Sequence, residues 1–388
     1  MSDLLGIKDY FTAPEDDDAM AVTSCTVERV SADLPGRSHS GSTQLADHTT
    51  FRLGGPARKI VRATTDAELV DAVRETDEAG EPLLVLGGGS NVLIGDEGFD
   101  GTVVLVDTHG LDAEVSDCGG SQARVKSGES WDDLVAYTID QEWAGLEALS
   151  GIPGMVGATP IQNVGAYGQE VSHTLARVRT WDRQAGEFRT FTADQCGLGY
   201  RDSIFKQSRA PQQATGRFVV LETWFQFRLA SLSEPVRYGQ LAARLGVELG
   251  ARVPAREVRQ AVLELRASKG MVLDAADHDT WSAGSFFTNP ILDAAITDQL
   301  PAQAPRFAQP DGRVKTSAAW LIDHSGFNKG FPGEGAARLS SKHVLALTNQ
   351  GGASAAEVVA LARQVRAGVH DRFGIWLVPE PVLVGLEL

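Results

Sequence analysis

The chain has 388 residues, 43% of them apolar and 22% charged, enough for two or three domains with cores of their own. With 51 acidic against 35 basic residues the formal net charge is -16, which argues against a general nucleic-acid surface or an anionic membrane surface but leaves room for a local basic pocket. No apolar run reaches bilayer length, and the cysteines (Cys25, Cys118, Cys196) are three in number, lack metal-ligand spacing and suit a reducing cytoplasm.

Residues 1 to about 40 are acidic and then rich in Ser and Gly, which predicts a loosely attached leader. Its opening, "MSDLLGIKDYFTAPEDDD", has no basic region before an apolar run and does not read as a signal peptide. "TTDAELVDAVRETDEAG" predicts a helix with Thr65 and Glu68 as a capping box and Gly80 as its stop. "PLLVLGGGSNVLIG" reads as strand, glycine-rich turn and second apolar segment, and "GTVVLVDT" as a further strand. "SGESWDDLVAYTIDQEWAG" predicts a helix capped by Ser130 and Asp133 and ended by Gly145. "ARVRTWDRQAGEFRTFT" reads as a hairpin and "RFVVLETWFQFRL" as a long strand, so the first unit is α+β. A second unit begins near residue 230. It holds helices over "PAREVRQAVLELRASKG" and "SAAEVVALARQVRAGVHDRF", a strand-to-helix region "VKTSAAWLIDHSG", and a closing strand broken by prolines.

Two glycine-rich stretches are the first chemical candidates. "LGGGSNVLIG" is neither a dinucleotide fingerprint nor a P-loop; it is a phosphate cradle of backbone amides or a plain tight turn. "GIPGMVGATPIQNVGAYGQE" is poor in charge and costly to order, suited to lie against a flat cofactor ring or to cross between domains. Arg201 suits bidentate capture of a carboxylate or a rim ion pair, and Glu380 in "VPEPV" stands between prolines. Spacing does not choose among Lys206, Lys269, Lys315 and Lys342 as partners for an anionic substrate. His324 and His343 show no partner pattern, and no metal-ligand set is present. Ser285 in "SAGSFFTNP" lacks a nucleophile elbow, which leaves packing or proton donation.

In order along the chain, "TTFRLGG", "LGGGSNVLIG", "GLEALSGIPGMVGATPIQNVGAYGQE", "YRDSIFK", "GSFFTNP", "AAWLIDHSGFNKG", "SKHVLALTN" and "VPEP" resemble the UDP-N-acetylenolpyruvoylglucosamine reductases over roughly residues 44 to 385. The resemblance implies an α+β fold with an FAD-binding region of the vanillyl-alcohol-oxidase (PCMH) type. Its divisions are a leader over 1–43, two α+β subdomains for FAD over 44–229, a substrate domain over 230–370 and a segment returning to the active site over 371–388. It implies FAD contacts at Leu86, Gly87, Gly88, Gly89, Ser90, Asn91, Gly128, Ile152, Pro153, Gly154, Gly157, Ala158, Thr159, Gly165, Tyr167 and Val219. Arg201, Ser285 and Glu380 match the family's catalytic residues, and Tyr238, Lys269, Asn289 and His324 its substrate contacts; Tyr238 places the chain in the longer subclass with a tyrosine-bearing loop. Two departures stand out: His324 replaces a glutamine of some members, and Trp281-Ser282 replaces the usual Gly-Asn before "AGSFF".

The implied reaction is NADPH-dependent and FAD-mediated. It converts the enolpyruvyl ether of UDP-N-acetylglucosamine to UDP-N-acetylmuramate for peptidoglycan, in the cytoplasm, by a monomer acting on a nucleotide sugar without nucleic acid, membrane or metal. The alternative is another flavin oxidase or dehydrogenase of the same cofactor-binding superfamily.

Overall fold

In a computed structural model of the chain, residues 25–36 and 39–388 are described. Strand β1 (Val27–Ala32) arises within the stretch expected to be loosely attached; residues 1–24 of that leader lie outside the described residues. Strand β2 (Ala57–Ala63) leads to helix α1 (Asp66–Glu78), whose expected capping box forms between Thr65 and Glu68. Each side chain accepts from the other's backbone N–H, so two donors that a helix start leaves open are satisfied. Gly80, at φ +66°, ends the helix as expected.

Strands β3 (Leu83–Leu86), β4 (Val92–Ile94) and β5 (Phe99–Val106) follow, then β6 (Leu111–Ser116) and β7 (Gly120–Lys126) as a hairpin. Helix α2 (Trp131–Asp140) differs from expectation at both ends. Ser130 stands at its N-cap, but the hydroxyl makes no capping bond. The chain leaves the helix before Gly145 because Trp143–Ala144 pair with a sheet as β8. A small ribbon, β9 (Gly165–Ala166) with β10 (Gln169–Glu170), precedes the expected hairpin β11 (Leu175–Asp182) and β12 (Glu187–Thr192). Short α3 (Ile204–Gln207) and the long strand β13 (Phe218–Leu229) complete this half.

The seven-stranded sheet runs β1-β6-β7-β13-β11-β12, with β8 on β13. A parallel sheet runs β2-β5-β3. Leu69, Val70 and Val73 of α1 join Val104 of β5 and Trp181, Val219 and Leu221 of the larger sheet in one core, which fixes the two sheets against each other. The cysteine expectation changes here. Antiparallel pairing of Val27 with Ser116 carries Cys25 opposite Cys118, and the two are joined in a disulfide; Cys196 is buried and free.

The second half contains α4 (Gly239–Leu245), α5 (Ala255–Ala267), β14 (Ile291–Leu292), α6 (Ala294–Thr297), β15 (Phe307–Ala308), β16 (Val314–Lys315), α7 (Ala318–Asp323), β17 (Ala337–Leu339), β18 (Leu347–Asn349), α8 (Ala355–Phe373) and β19 (Val382–Val384). Helix α8 starts on a Ser354–Glu357 capping box and buries Val358, Leu361, Ala362, Val365 and Val369, one stripe at helical spacing. That stripe packs in one core with Leu321 of α7 and the pair Phe286 and Phe287. Strand β19 then pairs in parallel with β4, Val382 opposite Val92, so the last residues rejoin the first glycine-rich segment. Among the described residues, no helix is long and apolar enough to cross a membrane.

Candidate active site

The first glycine stretch forms the turn between β3 and β4. Gly89 has φ +59°, and a Cβ there would lie 1.9 Å from the His48 carbonyl oxygen. Only glycine fits both the left-handed backbone and that approach. The second stretch faces the first: a Cβ on Gly88 would lie 2.9 Å from Gly154 Cα, and one on Gly154 would lie 2.6 Å from Ser90 Oγ. Gly128 and Gly157 are closed on their own flanks, by Thr108 and Ser127. Leu86 is buried beneath the turn, Thr159 Oγ1 is spent on the Val156 carbonyl, and Ile152, Pro153 and Ala158 belong to the same facing stretch.

The fit to a dinucleotide rests on the amides. Among the described residues, the backbone N–H groups of Gly87, Gly88, Gly89, Ser90 and Asn91 donate to no protein acceptor. A run of unspent amides in a glycine turn matches a phosphate cradle, so the residues present fit FAD. The Val219 side chain lies in the core between the two sheets. No cluster of metal-binding side chains occurs among the described residues.

The polar residues converge through backbone pairing. Glu380 N donates to the Phe286 carbonyl at 2.8 Å, and Thr288 N to the Val378 carbonyl at 3.0 Å. "GSFFTNP" and "VPEP" therefore lie antiparallel, with a bridge between Phe287 and Pro379. Ser285 precedes this pairing and is half-buried, and Gly284 beside it has φ +71°. The Glu380 carbonyl is held from the glycine-rich side by Asn91 Nδ2 at 3.4 Å and Gln162 Nε2 at 3.2 Å.

Arg201 meets Glu380 from the other half of the chain. It lies in a tight turn closed by reciprocal Gly199 and Asp202 backbone bonds, and its φ of +54° is unusual for a side chain of its size. Its Nη2 donates to the Gly165 carbonyl at 2.9 Å. Its Nε lies 2.9 Å from Glu380 Oε1, yet that N–H is not aimed at the oxygen, so the contact is an ion pair without a linear hydrogen bond. Burial raises the Glu380 carboxyl above its ordinary range, against the opposing pull of Arg201 and Lys206. Lys206 donates to the Arg201 carbonyl at 2.7 Å and to Gln162 Oε1 at 3.1 Å, and burial lowers its pKa.

The remaining candidates fall into three groups. Asn289 joins the cluster: its N–H donates to the Tyr200 hydroxyl at 3.2 Å, and its Oδ1 accepts from Ala318 N at the start of α7. The Lys315 ammonium sits 4.5 Å above the Tyr200 ring. Tyr238 and Lys269 form a second group with Tyr167, which was expected on the cofactor. Tyr238 meets Tyr167 edge to face at 5.5 Å, and Lys269 lies 5.6 Å over the Tyr167 ring while donating to Gln240. His324 forms the third. It stacks on Trp320 at 3.9 Å and lines a cavity of about 410 Å³ with Pro301, Gln303, Arg372 and Phe373, none of them among the polar residues above. Tyr200 and Gln162 were not singled out from the sequence; their only signal was position, beside Arg201 and inside the second glycine stretch.

An α+β fold with a glycine turn of open backbone amides and a separate C-terminal unit fits a flavoprotein, and residues 57–192 match the model described as "FAD binding domain". Residues 276–384 match "UDP-N-acetylenolpyruvoylglucosamine reductase, C-terminal domain". The chain is 58% identical over 376 residues to the UDP-N-acetylenolpyruvoylglucosamine reductase of Cutibacterium acnes, covering 96% of this chain and 98% of that protein. It is 54% identical over 352 residues to the enzyme of the same name from Salinispora arenicola, covering 89% and 95%. The crystal structure of the UDP-N-acetylenolpyruvylglucosamine reductase of Thermus caldophilus superposes with a TM-score of 0.58 at 26% identity, covering 93% of this chain and 99% of that one. The chain belongs to the UDP-N-acetylenolpyruvoylglucosamine reductase family.

Proposed function

We propose that the chain reduces the enolpyruvyl ether of UDP-N-acetylglucosamine to UDP-N-acetylmuramate for peptidoglycan synthesis, with FAD bound in the glycine cradle and NADPH as the external reductant. The observation that carries this reading is the backbone pairing of "GSFFTNP" with "VPEP" that sets Glu380 beside Arg201.

FAD, when bound, supplies hydride chemistry. The protein's residues have to manage the charge that a hydride added to C3 of the enolpyruvyl group leaves at C2 and its carboxylate. Arg201 offers a fixed guanidinium, already held by the Gly165 carbonyl, to bind that carboxylate and stabilise the developing charge. Glu380, raised by burial, is suited to stand protonated beside the same carboxylate, where a second anion would oppose the reaction. Ser285 delivers its hydroxyl proton to C2 and recovers one from solvent, so the substrate gains one hydride and one proton. Asn289, Lys269 and Tyr238 bind the nucleotide-sugar portion.

The same reading assigns two subdomains to the FAD-binding region over 44–229, a substrate domain to 230–370 and an active-site return to 371–388. It takes the enzyme to be a cytoplasmic monomer. The parallel pairing of β19 with β4 supports the returning segment. Ser285→Ala tests the chemistry: flavin reduction by NADPH stays near the wild-type rate, while reoxidation by substrate slows by about 10²-fold or more. Equal losses in both half-reactions would remove Ser285 from its role.

A further inference from the structure

Arg201 and Glu380 come from distant parts of the chain, and neither is held by a regular element. Arg201 occupies the left-handed region in a turn of four residues, a conformation unfavourable for a residue that carries a side chain. Such an outlier persists only where its surroundings hold it. Glu380 follows Pro379 and precedes Pro381, just ahead of β19.

One side chain reaches both. Ser203 accepts from Lys206 N, capping α3, and donates to the Ile161 carbonyl, which fixes α3 on the second glycine stretch. From there the Lys206 ammonium donates to the Arg201 carbonyl at 2.7 Å and to Gln162 Oε1 at 3.1 Å. The latter bond turns the Gln162 amide so that its Nε2 faces the Glu380 carbonyl at 3.2 Å. The path Arg201–Lys206–Gln162–Glu380 thus runs through backbone carbonyls at both ends, independent of the ion pair between the two side chains.

We propose that Lys206, acting through Gln162, is a positioning residue that sets the distance and the charge balance between Arg201 and Glu380. The proposal rests on the roles given above to those two residues. Its geometric part is the bridge. Its electrostatic part is a half-buried ammonium that favours ionised Glu380 and so limits how far burial raises that carboxyl. The other charged or titratable groups facing this pair are Arg201, Asp202, Arg209 and Tyr200.

Single-turnover reoxidation of the reduced flavin by substrate, followed against pH, separates the two parts. Lys206→Met slows the step by about 10²-fold, the scale for a catalytic group displaced by an ångström. Loss of the nearby positive charge also moves the alkaline limb upward by about one pH unit. Lys206→Arg restores the limb, with a partial recovery of rate. Gln162→Leu keeps the charge and breaks the bridge, so its rate falls while its limb stays in place. Lys206→Met with a wild-type limb and a rate within threefold of wild type overturns the proposal. The infrared carboxyl band lost in Glu380→Gln reports Glu380 in the resting protein, where Lys206→Met must raise its titration whatever Glu380 does in turnover; no shift there also overturns the proposal. A limb that survives in Glu380→Gln instead overturns the role assigned to Glu380.

Discussion

Replacing Gly89 by alanine tests whether the first glycine turn is the cofactor cradle. The added Cβ would lie 1.9 Å from the His48 carbonyl oxygen, about 1 Å inside the 3.0 Å that real Cβ contacts keep, and 2.7 Å from Thr49 Cα. Holding φ at +59° costs alanine about 1–2 kcal/mol on its own. Relieving the clash moves the turn away from residues 48–50 and breaks the 3.1 Å bond from Thr50 N to the Gly89 carbonyl, worth about 1 kcal/mol. Together these come to about 2–3 kcal/mol, or roughly 30- to 150-fold in affinity where the bound geometry requires the native turn. The assay is titration of the deflavinated protein with FAD, read by quenching of flavin fluorescence. Gly80→Ala is the matched control. Its φ is +66° and its Cβ would meet nothing within 4 Å, so it carries the backbone cost away from the turn. FAD affinity should stay within about twofold of wild type in the control. An affinity within threefold of wild type for Gly89→Ala would refute the assignment of this turn to the cofactor.

Two further outcomes follow from ion pairing and covalent linkage. Asp132 of α2 accepts both arms of the Arg259 fork, at 2.6 and 2.9 Å, and the Gly151 N–H at 2.6 Å, so it anchors the start of the second glycine stretch. Burial works against its ionisation, but Arg259 and Gly151 prevail and hold the carboxyl below its usual range. The stabilisation is therefore present above the unfolded carboxyl's pKa and lost as pH falls through the lower folded value. Asp132→Asn should lower the urea midpoint near pH 7 by the equivalent of about 1 kcal/mol, because the carboxylate is 34% exposed, and the gap to wild type should close as pH falls below about 4. A gap that is unchanged at acid pH counts against the linkage. For the cysteines, thiol titration of the denatured, unreduced protein should find one group, Cys196, and full reduction should release all three. Cys118→Ser should destabilise the fold by about 2–4 kcal/mol, since the cross-link spans 93 residues. Three reactive thiols before reduction would exclude the bond.

Much of the local structure was legible in residue order because it depends on neighbours a few positions apart. The capping box of α1, the hairpin of β11 and β12 and the long helix α8 each arise from groups within a turn or two of one another. The ordered motifs from both halves identified the family, a result the comparisons sustain. Where local signals failed, a distant partner had decided the matter. Gly145 did not end α2, because β13 offered Trp143 and Ala144 a strand partner more than eighty residues away.

The sequence by itself determined which chemistry was present: an amide-rich glycine turn, an arginine, a serine and a glutamate. Only the tertiary structure decided how they meet. The antiparallel run of residues 286–288 against 378–380, the parallel pairing of β19 with β4 and the left-handed turn at Arg201 join segments separated by tens to hundreds of residues. Such contacts depend on strand register and on which backbone carbonyls remain open after each element has formed, and neither quantity is written in the spacing of residues along one chain. Register also aligned Cys25 with Cys118 and drew β1 out of a stretch whose composition resembles a loose tail.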